Sequence, residues 1–164
     1  MKEGIRKILK ELNIVWKEFH HPPVFTCDES QLLPSMPGKK DKNLFLRDKK
    51  RQYYLITLTQ DKFPNLKELG EKIGARGGLS FASEERLNEV LGIKPGCVGL
   101  LALINDTSAQ TKVFIDRDLM EGEEWIQSHP GVNDETWCVA TSGLPKFFEA
   151  TGHAYQIIVL DTCS

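Results

Sequence analysis

Three stretches of this 164-residue chain hold side chains whose types and spacing could act on a substrate. The first is Lys42-Asn43, directly before the apolar run Leu44-Phe45-Leu46. A lysine at the mouth of a strand can reach over a pocket as a fixed positive charge. Such a charge holds a phosphate, or stabilises a carbonyl oxygen as an ester is attacked. Asn43 adds an amide donor and acceptor. The second stretch is Lys94-Pro95-Gly96-Cys97-Val98-Gly99, a glycine-rich bend before an apolar segment. Glycines let backbone N–H groups approach a ligand closely or point together as an anion hole. No base is identifiable beside Cys97, so a thiolate nucleophile is not indicated. The third is the polar loop of residues 129–136. His129 can orient a substrate, shape a pocket wall or move a proton. Asn133 and Thr136 can hold that loop through side-chain to backbone bonds. Each stretch also has a reading without chemistry: a solvated strand-entry lysine, an ordinary turn, and a Pro-Gly turn that happens to begin at a histidine.

Charge is unevenly spread. Residues 38–51, GKKDKNLFLRDKKR, carry about +5, in a chain of formal net charge -2. The remainder is therefore acidic, which points to a localised anionic partner and not to a protein that coats nucleic acid. The plainer alternative is that these lysines and arginines solvate strand ends and a turn. A length of 164 residues with 40% hydrophobic and 27% charged content suits one domain, residues 1–164, with a sizeable core. No stretch is apolar enough to cross a membrane, and the N-terminus lacks the apolar region of a secretory signal. A cytoplasmic location with no membrane partner is the expectation. The four cysteines are scattered and expected to be reduced. Only His20-His21 are close together among potential zinc ligands, so no metal is expected. Dinucleotide, P-loop and nucleophile-elbow motifs are absent, and no arrangement singles out a catalytic triad or a two-carboxylate site.

Elements must position these residues. Ile5, Ile8, Leu9 and Leu12 recur at helical spacing over residues 2–12. Residues 14–19 read as a short strand that His21-Pro22-Pro23 breaks. Thr26-Cys27-Asp28-Glu29 has the form of a capping box, predicting a short helix to Leu33. Residues 43–46 and 52–59 read as a hairpin around Asp48-Lys49-Lys50. Pro64, with Leu66, Leu69 and Ile73, predicts a helix that Gly74 stops. Residues 79–82 read as extended, and Ser83 can cap a helix that Gly92 closes. Residues 98–104 and 112–115 read as partner strands around Asn105-Asp106-Thr107-Ser108, and residues 125–128 and 137–141 as another pair. Residues 144–151 read as a helix with Phe147 and Phe148 inward, stopped by Gly152, and residues 155–160 as a final strand. Hairpin-like pairs with inserted helices predict an α+β fold, not a doubly wound one. The expected architecture is a mixed, largely antiparallel sheet curling toward a barrel, with surrounding helices.

The pieces FTCDES, GKKDKNLFLRDKK, LSFASEERLNEVLGIKPGCVGLLALIND, VFIDRDL and HPGVNDETWCVATSGLPKFFEATGH span nearly the whole chain in that order. Together they resemble the YbaK/ProX superfamily of aminoacyl-tRNA deacylases. Within it the chain looks like the free-standing ProX-type (PrdX-like) branch, which is similar to the editing insertion domain of bacterial prolyl-tRNA synthetase. KNLFL followed by Asp48 is the most specific piece. The resemblance implies hydrolysis of the ester linking a mischarged amino acid, alanine above all, to the 3'-terminal adenosine of proline tRNA. It implies as partners the tRNA acceptor end and prolyl-tRNA synthetase, and no cofactor. By position it implies that Lys42 is the central residue near the tRNA's terminal phosphate or adenosine, with Asn43 beside it. The substrate loop falls on Gly96-Cys97-Val98-Gly99-Leu100, and His129 helps size the amino-acid pocket. Asn133 and Thr136 match the rest of that loop. Lys39 and Lys40, with Lys49, Lys50 and Arg51, become a tRNA-steering fringe. One departure is Leu100, which stands where the family's G-x-x-x-P loop has a proline that would stiffen the backbone. A binding module of the same fold, holding tRNA ends without hydrolysis, is the alternative reading. A sensor of a free amino acid is a further one.

Overall fold

Hydrophobic periodicity and capping residues set most of the elements. A computed structural model describes residues 1–23 and 35–160. The capping-box helix expected over residues 26–33 lies outside the described residues. Helix α1 (Lys2–Glu11) buries Ile5 and Leu9, one turn apart on one face. Strand β1 (Trp16–His20) follows, then the long strand β2 (Lys39–Arg47) and β3 (Tyr53–Thr59). Helix α2 (Leu66–Ile73) is capped by Asn65, whose side chain accepts from the N–H groups of Lys67 and Glu68; Pro64 lies just outside it. A two-residue strand β4 (Ser80–Phe81) leads to α3 (Glu84–Leu91), where Ser83 accepts from Arg86 N–H. Then come β5 (Thr111–Asp116), the one-turn α4 (Arg117–Met120), β6 (Trp125–Ser128), β7 (Glu135–Ala140), α5 (Leu144–Thr151) and β8 (Tyr155–Ile158).

The strands form one mixed sheet in the order β1-β7-β6-β2-β3-β5-β8, with β4 also on β2. Antiparallel pairs join β1 to β7, β6 to β7, and β2 to both β3 and β4. The pairs β2 with β6, β3 with β5, and β5 with β8 are parallel. The sheet is not closed into a barrel: β1 and β8 end it. The expected strand over residues 98–104 is instead a 3-10 helix, Leu100–Asn105, in which Leu100, Leu101, Ala102 and Leu103 are all buried. A short, wholly apolar run has no period that separates strand from buried helix. Its expected partner, β5, pairs in parallel with β3 and β8.

Two apolar layers cover the sheet. One gathers α1, the 3-10 helix, α3 and α5 against Phe45, Leu55, Val113 and Ile115. The other packs α2 against Leu46, Ile56, Leu58 and Phe114. Every residue of β3 is therefore buried, its side chains alternating between the layers. Strand β2 alternates likewise. Phe45 joins the first layer and Leu44 and Leu46 the second, which sets where its polar residues point.

Candidate active site

At the start of β2, alternation sends Asp41 and Asn43 to the first layer's face and Lys42 to the opposite one. The Asn43 side-chain carbonyl accepts from the Thr57 hydroxyl at 2.7 Å, across the β2–β3 pair. The Lys42 ammonium donates to the Lys62 carbonyl and lies 3.8 Å from the centre of the Phe63 ring. A carbonyl and an aromatic face together hold the charge in place. Phe63 itself is 62% exposed. Beside them, Lys39, Lys40, Thr59, Gln60, Asp61, Lys62 and Asp118 line an open cavity of about 520 Å³.

The turn presenting the Lys62 carbonyl is built on a buried ion pair that sequence reading missed. Lys62 Nζ lies 2.7 Å from one Asp116 oxygen and 2.8 Å from the other, and 2.8 Å from Asp118. Asp116 also accepts from the N–H groups of Thr59 and Asp118. The spacing of 54 residues between Lys62 and Asp116 leaves no local signal. Only parallel pairing of β3 with β5 brings them together.

The glycine-rich bend lies on the first layer's side. Cys97 N–H donates to the Lys94 carbonyl at 3.1 Å, closing a tight turn. Gly96, at φ 84°, takes the left-handed position in it. Gly99 runs against the end of β6: a Cβ there would sit 2.6 Å from the His129 carbonyl oxygen and 3.2 Å from Ser128 Oγ. Only glycine permits that approach. Leu100 opens the 3-10 helix, a position that would also accept a proline, and its side chain is fully buried. Cys97 and Val98 are half-buried between them. Burial pushes the Cys97 thiol above its ordinary value, with Lys94 opposing and Asp134 reinforcing the rise.

His129 packs against this bend. Its Nδ1 bonds to the Glu135 carbonyl at 2.8 Å. A carbonyl only accepts, so Nδ1 carries the proton and Nε2 is an acceptor. Burial lowers the His129 pKa, the Glu135 bond opposes this, and Lys40 and His21 lower it further. The neutral ring dominates at pH 7. His21, not singled out from sequence, stands 6.4 Å from His129, ring to ring. Its Nδ1 donates to the Pro22 carbonyl, which makes Nε2 the acceptor of the Thr136 hydroxyl at 2.7 Å. Thr136 thus bonds the side chain of His21, 115 residues away in the chain. Asn133 is half-buried in that loop.

Asp41 and Ser128, adjacent to this wall, are nearly inaccessible at 7% and 1% exposure. By strict hydrogen-bond geometry Asp41 Oδ2 and Ser128 Oγ have no partner among the described residues, although the Ser128 and Asn43 side chains both bear on the Asp41 carboxyl. Burial raises the Asp41 pKa to about 6, although Asn43, Ser128 and Lys40 all favour its charged form.

The basic segment does not form one patch. Lys39 and Lys40 stand at the start of β2 and Lys49, Lys50 and Arg51 beyond its end, separated by roughly 30 Å of extended chain. Lys39 is partly engaged, donating to the Asp118 carbonyl at 3.2 Å and lying 3.6 Å from Glu123. Between the distal charges, buried Asp48 ties the hairpin: it accepts from the N–H groups of Lys50, Gln52 and Arg76 and from the Tyr54 hydroxyl. A second charged cluster, Glu18, His20 and Glu135, brings ligand-type atoms within 4.8 Å of one another. Arg6 and Trp16 already bond Glu18, and Lys2 bonds Glu135 at 2.5 Å, so its geometry is that of an ion-pair network.

The aminoacyl-tRNA editing domain family matches residues 21–147. A zebrafish (Danio rerio) protein, prolyl-tRNA synthetase associated domain-containing protein 1, is 36% identical over 98% of this chain and 88% of its own. The prolyl-tRNA editing protein ProX of Acetoanaerobium sticklandii is 35% identical over 97% of both chains. A crystal structure of a candidate trans-editing enzyme for prolyl-tRNA synthetase superposes with a TM-score of 0.68 at 16% identity, covering 98% of this chain and 97% of that one, which supports the fold. No helix among the described residues is long and apolar enough to cross a membrane. The family match spans β2, the glycine bend and the His129 loop alike, and the chain belongs to the aminoacyl-tRNA editing domain family.

Proposed function

We propose that this chain, an aminoacyl-tRNA deacylase by family, acts in trans on alanyl-tRNA(Pro), hydrolysing the ester at the 3'-terminal adenosine. The observation that carries this reading is the close packing of the glycine bend on Ser128 and His129. It lines one wall with backbone N–H groups and a neutral imidazole. Water attacks the ester carbonyl, and the N–H groups near residues 96–99 stabilise the oxyanion that forms. Cys97 N–H is already engaged with Lys94, which leaves Gly96, Val98 and Gly99 as the donors. On collapse the ribose oxygen leaves and takes a proton, assisted by the neighbouring ribose hydroxyl, and alanine departs. An aminoacyl ester is already activated, so no protein nucleophile is needed. The Cys97 thiol, held up by burial, stays protonated.

Lys42 binds the terminal phosphate or adenosine of the tRNA, and Asn43 braces the strand from its other face through Thr57. His129 and the segment that Thr136 and Asn133 hold size the amino-acid pocket, so that alanine enters and proline does not. Lys39 and Lys40 steer the acceptor end. The partners are the tRNA and prolyl-tRNA synthetase, and the compartment is the cytoplasm. The test is release of amino acid from Ala-, Ser-, Cys- and Pro-tRNA(Pro) by purified protein. Release of alanine, suppressed by Lys42→Ala, is expected. No turnover across the panel refutes the reading, and tight binding without release assigns a non-catalytic role.

A further inference from the structure

Asp48 has no part in the scheme above. Its buried carboxylate is already committed, accepting from the N–H groups of Lys50, Gln52 and Arg76 and from the Tyr54 hydroxyl. Lys49 N–H donates in turn to the Arg76 carbonyl at 3.0 Å, so the hairpin and the segment after α2 are clamped together. Lys112 joins them from β5, directly opposite Tyr54 in the β3–β5 pair. The side chains of Lys50, Arg76 and Lys112 line one cavity of about 250 Å³, which Asp48 also lines. None of these three cationic groups makes an ion pair or a side-chain hydrogen bond among the described residues. Three positive charges thus face one negative charge, an excess of two. Gly74 ends α2 at the same wall, and a helix end contributes only about half a negative charge, which does not cancel the excess. Like charges gathered on one cavity repel, and an anion that enters relieves the repulsion.

We propose that this cavity is a second binding site, for the dianionic phosphate group of a small phosphate monoester. Two negative charges balance the excess, which a carboxylate or a phosphodiester, with one charge each, does not. The group presents three free oxygens, one for each cation, and the planar fork of Arg76 suits phosphate geometry. A cavity of about 250 Å³ falls below the range of about 300–1,000 Å³ for pockets that enclose a whole drug-sized ligand. The phosphate enters, and the rest of the ligand projects into solvent. The site lies beyond the end of β2, whereas Lys42 lies near its start, so it is independent of the deacylase reading.

Isothermal titration calorimetry at constant ionic strength, with chloride as the background anion, tests the site with inorganic phosphate, methyl phosphate and dimethyl phosphate. Saturable one-to-one binding of the first two at pH 8 is expected, with the singly charged diester at least about 10-fold weaker. Arg76→Gln and Lys112→Gln should each weaken phosphate about 10-fold, the loss of one charged hydrogen bond. Both side chains are exposed, and thermal unfolding establishes that the variants are folded. Lys67→Gln, which removes an exposed charge from α2, and Lys42→Ala should leave phosphate affinity unchanged. Alanine release from alanyl-tRNA(Pro) should be the same in Arg76→Gln and Lys112→Gln as in the wild type. The binding readout needs no turnover, so its outcome stands apart from that of the deacylase reading. Absence of saturable binding, equal binding of dimethyl phosphate, or affinity that survives Arg76→Gln and Lys112→Gln overturns the site. Affinity lost in Lys42→Ala places the phosphate at the tRNA end instead, and alanine release lost in Arg76→Gln or Lys112→Gln assigns the cavity to tRNA; either result overturns the proposal.

Discussion

Asp41→Asn should make the protein more stable, and only above the pH at which the buried carboxyl ionises. The folded-state pKa is raised by burial from 3.8 to about 6. A tenfold weakening of ionisation costs about 1.4 kcal/mol, so the ionised wild type carries a penalty of about 3 kcal/mol. The sign follows from the direction. Below the unfolded value the carboxyl is protonated in both states and contributes no penalty. As pH rises through the folded value, the unfolded state has already ionised while the folded state must ionise in place, and stability falls. Asparagine keeps the shape without the charge. The variant should match the wild type at pH 3.5 and exceed it by up to about 3 kcal/mol at pH 8. For a protein of this size that is about 6–12 °C in Tm. Urea unfolding across that pH range is the assay. Other carboxylates titrate in both proteins and cancel in the difference. A stability difference independent of pH, or a variant less stable at pH 8, refutes the reasoning.

Gly99→Ala should cost about 1–3 kcal/mol of stability and disrupt deacylation, because its Cβ would meet the His129 carbonyl oxygen at 2.6 Å; chemical denaturation and single-turnover kinetics measure the two effects. Removing one partner of the buried Lys62–Asp116 pair by Asp116→Ala should cost about 3–5 kcal/mol, measured by urea unfolding. Lys42→Ala should lower kcat/KM about 10- to 100-fold, the worth of a charged contact, and Lys42→Arg should recover only part of it. Neutralising Lys49, Lys50 and Arg51 together should leave the salt dependence of deacylation unchanged, while neutralising Lys39 and Lys40 should flatten it, since roughly 30 Å of strand separates the two groups.

Local signals in the sequence decided most elements. Asn65 and Ser83 accept the N–H groups that begin their helices, Gly74 and Gly92 end them, and residues 48–52 join the β2–β3 hairpin. These interactions form between residues a few positions apart, so the residue types carry the information. The family resemblance likewise marks the glycine bend and the His129 loop, though not their contact. What stayed hidden was whatever depends on distant segments. The 3-10 helix at Leu100–Asn105 replaced an expected strand because a fully apolar run fits either form, and burial between α1, α3 and the sheet settled the matter. The parallel partners of β5 bring Lys62 to Asp116 from 54 residues away.

The sequence by itself determined the family, the caps and hairpin turns, and the residue types available for chemistry, because all of these reside in short-range pattern. Tertiary structure alone decided how those residues are grouped. Strand alternation separates Lys42 from Asn43 although they are neighbours in the chain, and the length of β2 splits the basic segment into two groups. The same packing that sets Gly99 against His129 and Ser128 leaves the Asp41 carboxyl buried at the edge of the bend. A charge count registers Asp41 only as an acid within a basic stretch. Its raised pKa comes from burial, which the order of residues does not contain.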